Sequence, residues 1–314
     1  MPYTETMHRI AMERFSELFE GISSLSFADV PDYPNVGDSA IFLGQATFAR
    51  EAGIDIGSAY SIGTLPRGIS RLEVRAVAIN GGGNIGGRYA HHEDNRFRLA
   101  REMPDDQVLI QCPQSVFFED EHARRNFEAG LGARTAARIA VRDEESFSAV
   151  RELVSGRLLL APDAVHFLGR IDAPAPRARF VVLGRADDES AARFGAGALD
   201  WPVDRPVLRA TTWARKRAAG LGPAGQRQLN PSPARWERIA ALRLRRGIRM
   251  LALGEVVVTD RLHAMLIALQ MGRHVVAVDN ANQKLSRYAR TWLGGSGAAL
   301  SFATSWDEAI RSVE

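Results

Sequence analysis

The feature that most constrains this chain is a repeated local pattern. Short, strongly apolar runs each end abruptly in a polar or glycine-rich segment, and a helical stretch follows. SLSFADV (Ser24–Val30), VRAVAI (Val74–Ile79), VLIQC (Val108–Cys112), ARIAVR (Ala137–Arg142) and RLLLAPD (Arg157–Asp163) are such runs. Helical stretches are expected near Ala40–Glu51, Asp120–Gly130 and Glu144–Val154. Buried strands alternating with helices predict an α/β protein with parallel sheets. Ligands of such sheets bind outside the carboxyl ends of the strands. The polar segments closing each run are therefore the first place to look for chemistry.

Near residue 170 the texture changes. IDAPAPRAR (Ile171–Arg179) reads as an extended linker because its prolines disfavour helix. The pattern resumes with FVVLG (Phe180–Gly184) and a long helix over Pro233–Leu253. A compact unit follows: the strand EVVVTD (Glu255–Asp260), the helix RLHAMLIALQ (Arg261–Gln270) and the strand HVVAVDN (His274–Asn280). The expected layout is an N-terminal domain over 1–170, a linker over 171–179 and a C-terminal domain over 180–314, with a cleft between them. The last helix could pack back on the N-terminal domain. The Gly/Pro-rich stretch Gly220–Pro233 receives no assignment.

Composition excludes several classes. At 314 residues the chain is long enough for two cores. Its one cysteine, Cys112, has no disulfide partner and reads as a buried apolar residue of a reducing compartment. No Cys/His cluster suggests a metal, and the N-terminus lacks the apolar core of a signal peptide. These features together predict a cytoplasmic protein. The pI of 9.3 raises nucleic-acid binding, but the net charge is only +3 and the arginines are dispersed among acids, so no nucleic-acid partner is expected. All but two of the 40 basic residues are arginine, the exceptions being Lys216 and Lys284.

Several strand-end segments could bind or transform a ligand. In Pro34–Ser39 a helix start would aim backbone N–H groups at Asn35, Gly37 and Asp38, unless Asp38 or Ser39 merely caps it. Gly81, Gly82 and Gly83, followed by Asn84, allow a backbone turn close to an anion, without matching a dinucleotide or P-loop pattern. Gln114 and Ser115 are polar residues beyond a buried strand. Arg142 closes a strand and can aim a planar fork at an anion, whereas Asp143, Glu144 and Glu145 suit helix capping. Asp163 and His166 close another strand, and His166 reads equally well as an interdomain histidine. Asp260 is a plausible N-cap, placing Arg261 and His263 in the first helical turn at a strand's carboxyl end. Lys284 lies beyond the last strand of that unit, at the same edge as Arg261 or simply on the surface.

Taken in order, these segments resemble the polysaccharide pyruvyl transferase family. The matching elements are Asn35-x-Gly37-Asp38, the strand before Gly81-Gly82-Gly83, Gln111–Ser115, Arg142-Asp143-x-x-Ser146, Pro162-Asp163 and Thr259–Ala264. The chain reads CPQSVFF after Gln111, where many members carry Gly-Pro after Gln-Ser. The resemblance implies two Rossmann-like domains facing each other, as in GT-B glycosyltransferases. It also implies transfer of a carboxyvinyl group from phosphoenolpyruvate to a sugar, giving a pyruvate ketal and phosphate, with no cofactor beyond that donor. It associates Arg142, Arg261, Leu262 and His263 with the donor.

On that reading His263 is the expected acid, and Asp38 or Asp163 the base. Lys284, Asn35, Gly37 and Gly81–Gly83 join Arg142 and Arg261 around phosphoenolpyruvate. Asn84, Gln114, Ser115 and His166 are expected to meet the acceptor, a sugar of an exopolysaccharide or its lipid-linked precursor. A lipid-linked acceptor would bring the protein to the inner face of the cytoplasmic membrane as a peripheral protein. A nucleotide-sugar glycosyltransferase and a non-catalytic sugar or phosphate sensor are the alternative readings.

Overall fold

The computed structural model describes residues 2–66, 75–185, 199–204, 206–219, 232–279 and 282–314. The residue opening the expected strand at Val74, the stretch 220–231 and the dipeptide Asn280-Ala281 lie outside these. Two wholly parallel sheets carry the fold. The first contains β1 (Ser24–Ala28), β2 (Asp55–Ala59), β3 (Ala76–Ile79), β4 (Gly82–Ile85), β5 (Val108–Val116), β6 (Ala137–Val141) and β7 (Arg157–Leu160). Its order is β2-β1-β3-β5-β6-β7, with β4 paired to β5. Because β2 lies on one side of β1 and β3 on the other, the strand order reverses at β1/β3, which is where such sheets open a crevice. The second sheet runs β11-β10-β9-β8, from β8 (Ala178–Leu183), β9 (Gly254–Thr259), β10 (His274–Val278) and β11 (Leu300–Ala303). The α/β reading with parallel sheets holds.

The helices show why the sequence starts them where it does. Helix α2 (Val36–Glu51) is capped by Asn35, whose side chain accepts from Asp38 N at 3.2 Å. It therefore begins four residues before the expected Ala40, and neither Asp38 nor Ser39 is the cap. Helices α4 (Glu121–Phe127) and α5 (Glu144–Val150) are capped by Asp120 and Asp143, as acids at a positive helix end should be. Helix α8 (Leu262–Gln270) is apolar on almost every side and is buried accordingly. Arg261, in extended conformation, occupies its N-cap position. Asp260 instead accepts from Arg185 N at 2.9 Å, so the expected Asp260 cap is not formed.

Two helices stitch the cores together. In α1 (Tyr3–Leu18), Tyr3 and Met7 join the core of the second sheet, whereas Ala11, Phe15 and Leu18 join that of the first. In α7 (Pro233–Leu251), which follows α6 (Pro206–Ala219), Trp236, Ile239 and Ala240 pack with the first sheet, and Leu244 and Leu251 with the second. The final helix, α10 (Trp306–Arg311), buries Trp306 and Ala309 against β9–β11 residues. It does not pack back on the first sheet; α7 does.

Between β3 and β5 the glycine segment forms β4 rather than an open turn, with Gly82 opposite Gln114. Strand β5 continues through Pro113 to Val116, with a shift of register between Gln111 and Gln114 where it pairs with β6. Residues 171–177 form no regular element, consistent with an extended connection. No helix among the described residues is long and apolar enough to cross a membrane.

Candidate active site

A cleft of about 690 Å³ lies at the carboxyl ends of strands from both sheets. Asp29 follows β1, Arg142 follows β6, Arg185 follows β8 and Arg261 follows β9, and all four line it. So do Asn35, Asp38, Gly83, Asn84, Leu262, His263 and Lys284. Residues far apart in sequence are thus brought onto one cavity. Among the described residues no group of three or more His, Cys, Asp or Glu side chains is arranged to hold a metal ion.

The centre of the site is a buried chain of charge-assisted hydrogen bonds. Arg142 Nη1 donates to Asp163 Oδ2 at 2.7 Å, and Arg142 Nε donates to Ser115 Oγ at 2.9 Å. Ser115 Oγ donates onward to Asp143 Oδ2 at 2.8 Å. His263 Nε2 lies 3.1 Å from the same Asp163 Oδ2 and 3.3 Å from Arg142 Nη1. An ionised carboxylate only accepts, so Asp163 fixes Nε2 as the protonated nitrogen facing it. Burial disfavours the Asp163 carboxylate, but His263, Arg142 and the Val165 N–H outweigh burial and hold it well below the usual carboxylate range.

Close approach explains two glycines. A Cβ on Gly37 would fall 2.4 Å from His263 Nδ1, so only a glycine at the start of α2 lets the imidazole lie there. A Cβ on Gly83 would meet Arg142 Nη2 at 3.0 Å and Lys284 Nζ at 3.4 Å. Two cations 142 positions apart in sequence therefore flank one glycine. Lys284 opens the short helix α9 (Lys284–Tyr288), immediately after Gln283 in left-handed conformation. It lines the same cavity as Arg261. Arg261 pairs with the half-exposed Asp200.

Other expected site residues serve beneath the cavity instead. Asp163 is 1% exposed and outside the lining, so it cannot meet an acceptor hydroxyl as base; it positions Arg142 and His263. Gln114 is buried, its Oε1 accepting from Asn84 N at 3.1 Å and its Nε2 donating to Asn80 O at 3.2 Å. Ser115 is spent on Arg142 and Asp143. Gly81 and Gly82 are buried against Pro113 and Gln114. His166 is also buried, with Nε2 2.7 Å from Tyr288 Oη, and Tyr288 Oη accepts from Asp163 N at 2.9 Å. Burial lowers the His166 pKa to about 4, against the pull of Asp163. None of these residues lines the cavity. Cys112 is buried as expected, which pushes its thiol up.

Helix α3 (Ala90–Glu102) is where sequence reasoning missed most. Its buried face is His92, Glu93, Asn95, Arg96 and Leu99, a polar set that pattern alone assigns to solvent. Arg96 Nε donates to Gln111 Oε1 at 2.8 Å, and its guanidinium also engages Asn84 Oδ1. Asn84 thus lines the cleft with its side chain already held. Glu93 Oε1 accepts from Gly86 N at 2.7 Å and Gly87 N at 2.9 Å. Along the cleft wall, Tyr33 Oη donates to Asp38 Oδ2 at 2.9 Å, and burial together with Asp38 and Asp29 pushes the phenol up.

The family model for polysaccharide pyruvyl transferase matches residues 35–282, a span from the α2 cap to the segment before Lys284. The chain belongs to that family. Among its relatives, pyruvyl transferase 1 of Schizosaccharomyces pombe is 28% identical over 94% of this chain and 79% of its own length. EpsO of Bacillus subtilis, also named as a pyruvyl transferase, is 26% identical over 87% of this chain and 86% of its own. A crystal structure of an uncharacterised Klebsiella pneumoniae protein superposes with a TM-score of 0.64 at 16% identity. It covers 95% of this chain and 99% of that one, and it shares the fold. Membership makes the protein a transferase of pyruvyl groups, acting on a sugar or oligosaccharide acceptor.

Proposed function

We propose that the donor is phosphoenolpyruvate and that the product is a cyclic pyruvate ketal on a sugar of an exopolysaccharide or its lipid-linked precursor. One observation carries this reading. Arg142, Arg261 and Lys284 converge with His263 on one cavity, which suits a small ligand bearing both phosphate and carboxylate. On this reading residues 1–170 and 180–314 are two Rossmann-like domains facing across the cleft in the GT-B manner. Lining by strand ends of both sheets supports it.

His263 delivers a proton to the methylene carbon of phosphoenolpyruvate, which makes the adjacent carbon electrophilic. One sugar hydroxyl adds there, the C–O bond to phosphate breaks, and a second hydroxyl closes the ketal. Asp163 holds the imidazole in place and balances its positive form, while Arg142 and Lys284 balance the departing phosphate. Asp38 stands at the cavity wall as a contact for the acceptor. General acid help of this kind contributes on the order of 10²–10⁴-fold. A lipid-linked acceptor would place the reaction at the inner membrane face.

The test is incubation with phosphoenolpyruvate and candidate glycans, following phosphate release and acceptor mass. A gain of about 70 Da per acceptor, the mass of pyruvate less water, supports the reading. Turnover only with a nucleotide sugar would make the protein a glycosyltransferase. Saturable binding without turnover of either donor would make it a sensor.

A further inference from the structure

Ketal formation breaks two acceptor O–H bonds. One proton is matched by the proton that converts the methylene carbon to methyl, and the other leaves with phosphate. A histidine that donates to carbon can recover one proton from one oxygen. The other hydroxyl sits elsewhere on the sugar and needs its own proton acceptor. The Asp163–His263 pair supplies only the first of these.

A second buried aspartate–histidine pair lines the same cleft. Asp29 Oδ2 lies 2.7 Å from His92 Nδ1, and both residues are 4% exposed. Asp29 directly follows β1, at the point where the strand order of the first sheet reverses. It holds φ +63°, a left-handed conformation that is uncommon for a side-chain-bearing residue and is kept only where its surroundings enforce it. His92 lies in the first turn of α3, flanked edge-on by Tyr33 and Tyr89 with ring centroids 6.1 and 6.4 Å away. Since the Asp29 carboxylate only accepts, Nδ1 is the protonated nitrogen and the Nε2 lone pair is left to a ligand in the cavity.

We propose that His92, oriented by Asp29, is the general base that takes the proton of the attacking acceptor hydroxyl. The O–H bond breaks toward His92 Nε2 as the oxygen bonds to the electrophilic carbon, and the proton is passed to the departing phosphate or to water. Tyr33 and Tyr89, beside it, line the same cavity, and aromatic rings of this kind can pack against a sugar. This assignment rests on the phosphoenolpyruvate reading above.

His92→Asn tests it, because the asparagine amide still offers Asp29 an N–H near the Nδ1 position while removing the base. The expected result is a kcat at least about 10²-fold lower with phosphoenolpyruvate and acceptor, with donor affinity within about threefold of wild type. Asp29→Asn should lose less, and added imidazole should restore part of the activity of His92→Gly. A His92→Asn kcat within about threefold of wild type overturns the proposal. So does equal loss of donor affinity and folding, or a large loss confined to Asp38→Asn. Active wild type with active His92→Asn indicts the dyad alone, whereas an inactive wild type overturns the donor reading and the dyad with it.

Discussion

Gly37 and His263 occupy space that only one of them can extend into: a Cβ on the glycine would stand 2.4 Å from the imidazole Nδ1. Gly37→Ala should therefore push the ring off Asp163. A displacement of about 1 Å in a reacting group costs on the order of 10²-fold in rate. Helix propensity gains about 1 kcal/mol from the change, offsetting part of the overpacking. Steady-state kinetics should thus show a large fall in kcat while thermal unfolding moves by only a few degrees.

Arg142 holds Ser115 and Asp163 through separate arms of its guanidinium. Lysine at this position keeps the charge but cannot span both, so Arg142→Lys should lower kcat/KM for the donor on the order of 10²-fold. Arg142→Ala leaves the buried Asp163 carboxylate short of its partner and should cost about 3–5 kcal/mol of stability. Chemical denaturation of the two variants separates these effects.

His166 titrates at about 4 in the folded protein against an ordinary value of 6.5. Between those values the unfolded chain binds a proton that the folded chain does not. Stability is therefore full above pH 6.5 and falls as the pH drops to about 4, by up to about 1.4 kcal/mol per pH unit. His166→Gln keeps a partner for Tyr288 but does not titrate. Urea unfolding at pH 7, 5.5 and 4.5 should show a flatter pH dependence in the variant; an unchanged slope would assign it to another group.

Lys284 stands with Arg142 at Gly83. Lys284→Met should raise the donor KM about 10- to 100-fold, the cost of one charge-assisted hydrogen bond. An unchanged KM and kcat would return this lysine to a surface role.

Asp200, half-exposed and next to the lining residue Trp201, pairs with Arg261. An anionic donor competes for the same guanidinium. Asp200→Asn should lower the donor KM by no more than about fivefold, because a solvent-screened pair contributes under about 1 kcal/mol. The same experiment at high salt should narrow the difference between variant and wild type.

Local sequence was enough for most of the central strands, for the acid cap of α5, and for the ordered motifs that mark the family. Period, turn chemistry and capping act over a few residues, so Val256–Thr259 and Asp143 declare themselves. The destinations of the polar side chains were not legible in this way. His166, Gln114, Ser115 and Asp163 follow apolar runs in the sequence just as Arg142 does, yet they are buried beneath the cavity, while Arg142 and His263 meet from positions 121 residues apart. The polar face of α3 reads as solvated because no pattern within the helix reveals Asp29 or Gln111 as its partners. Whether a polar group faces water, a ligand or a buried counter-charge depends on what the rest of the chain brings to it. Sequence alone determined that this chain would make parallel sheets with polar strand ends, and tertiary packing decided which of those ends became a site.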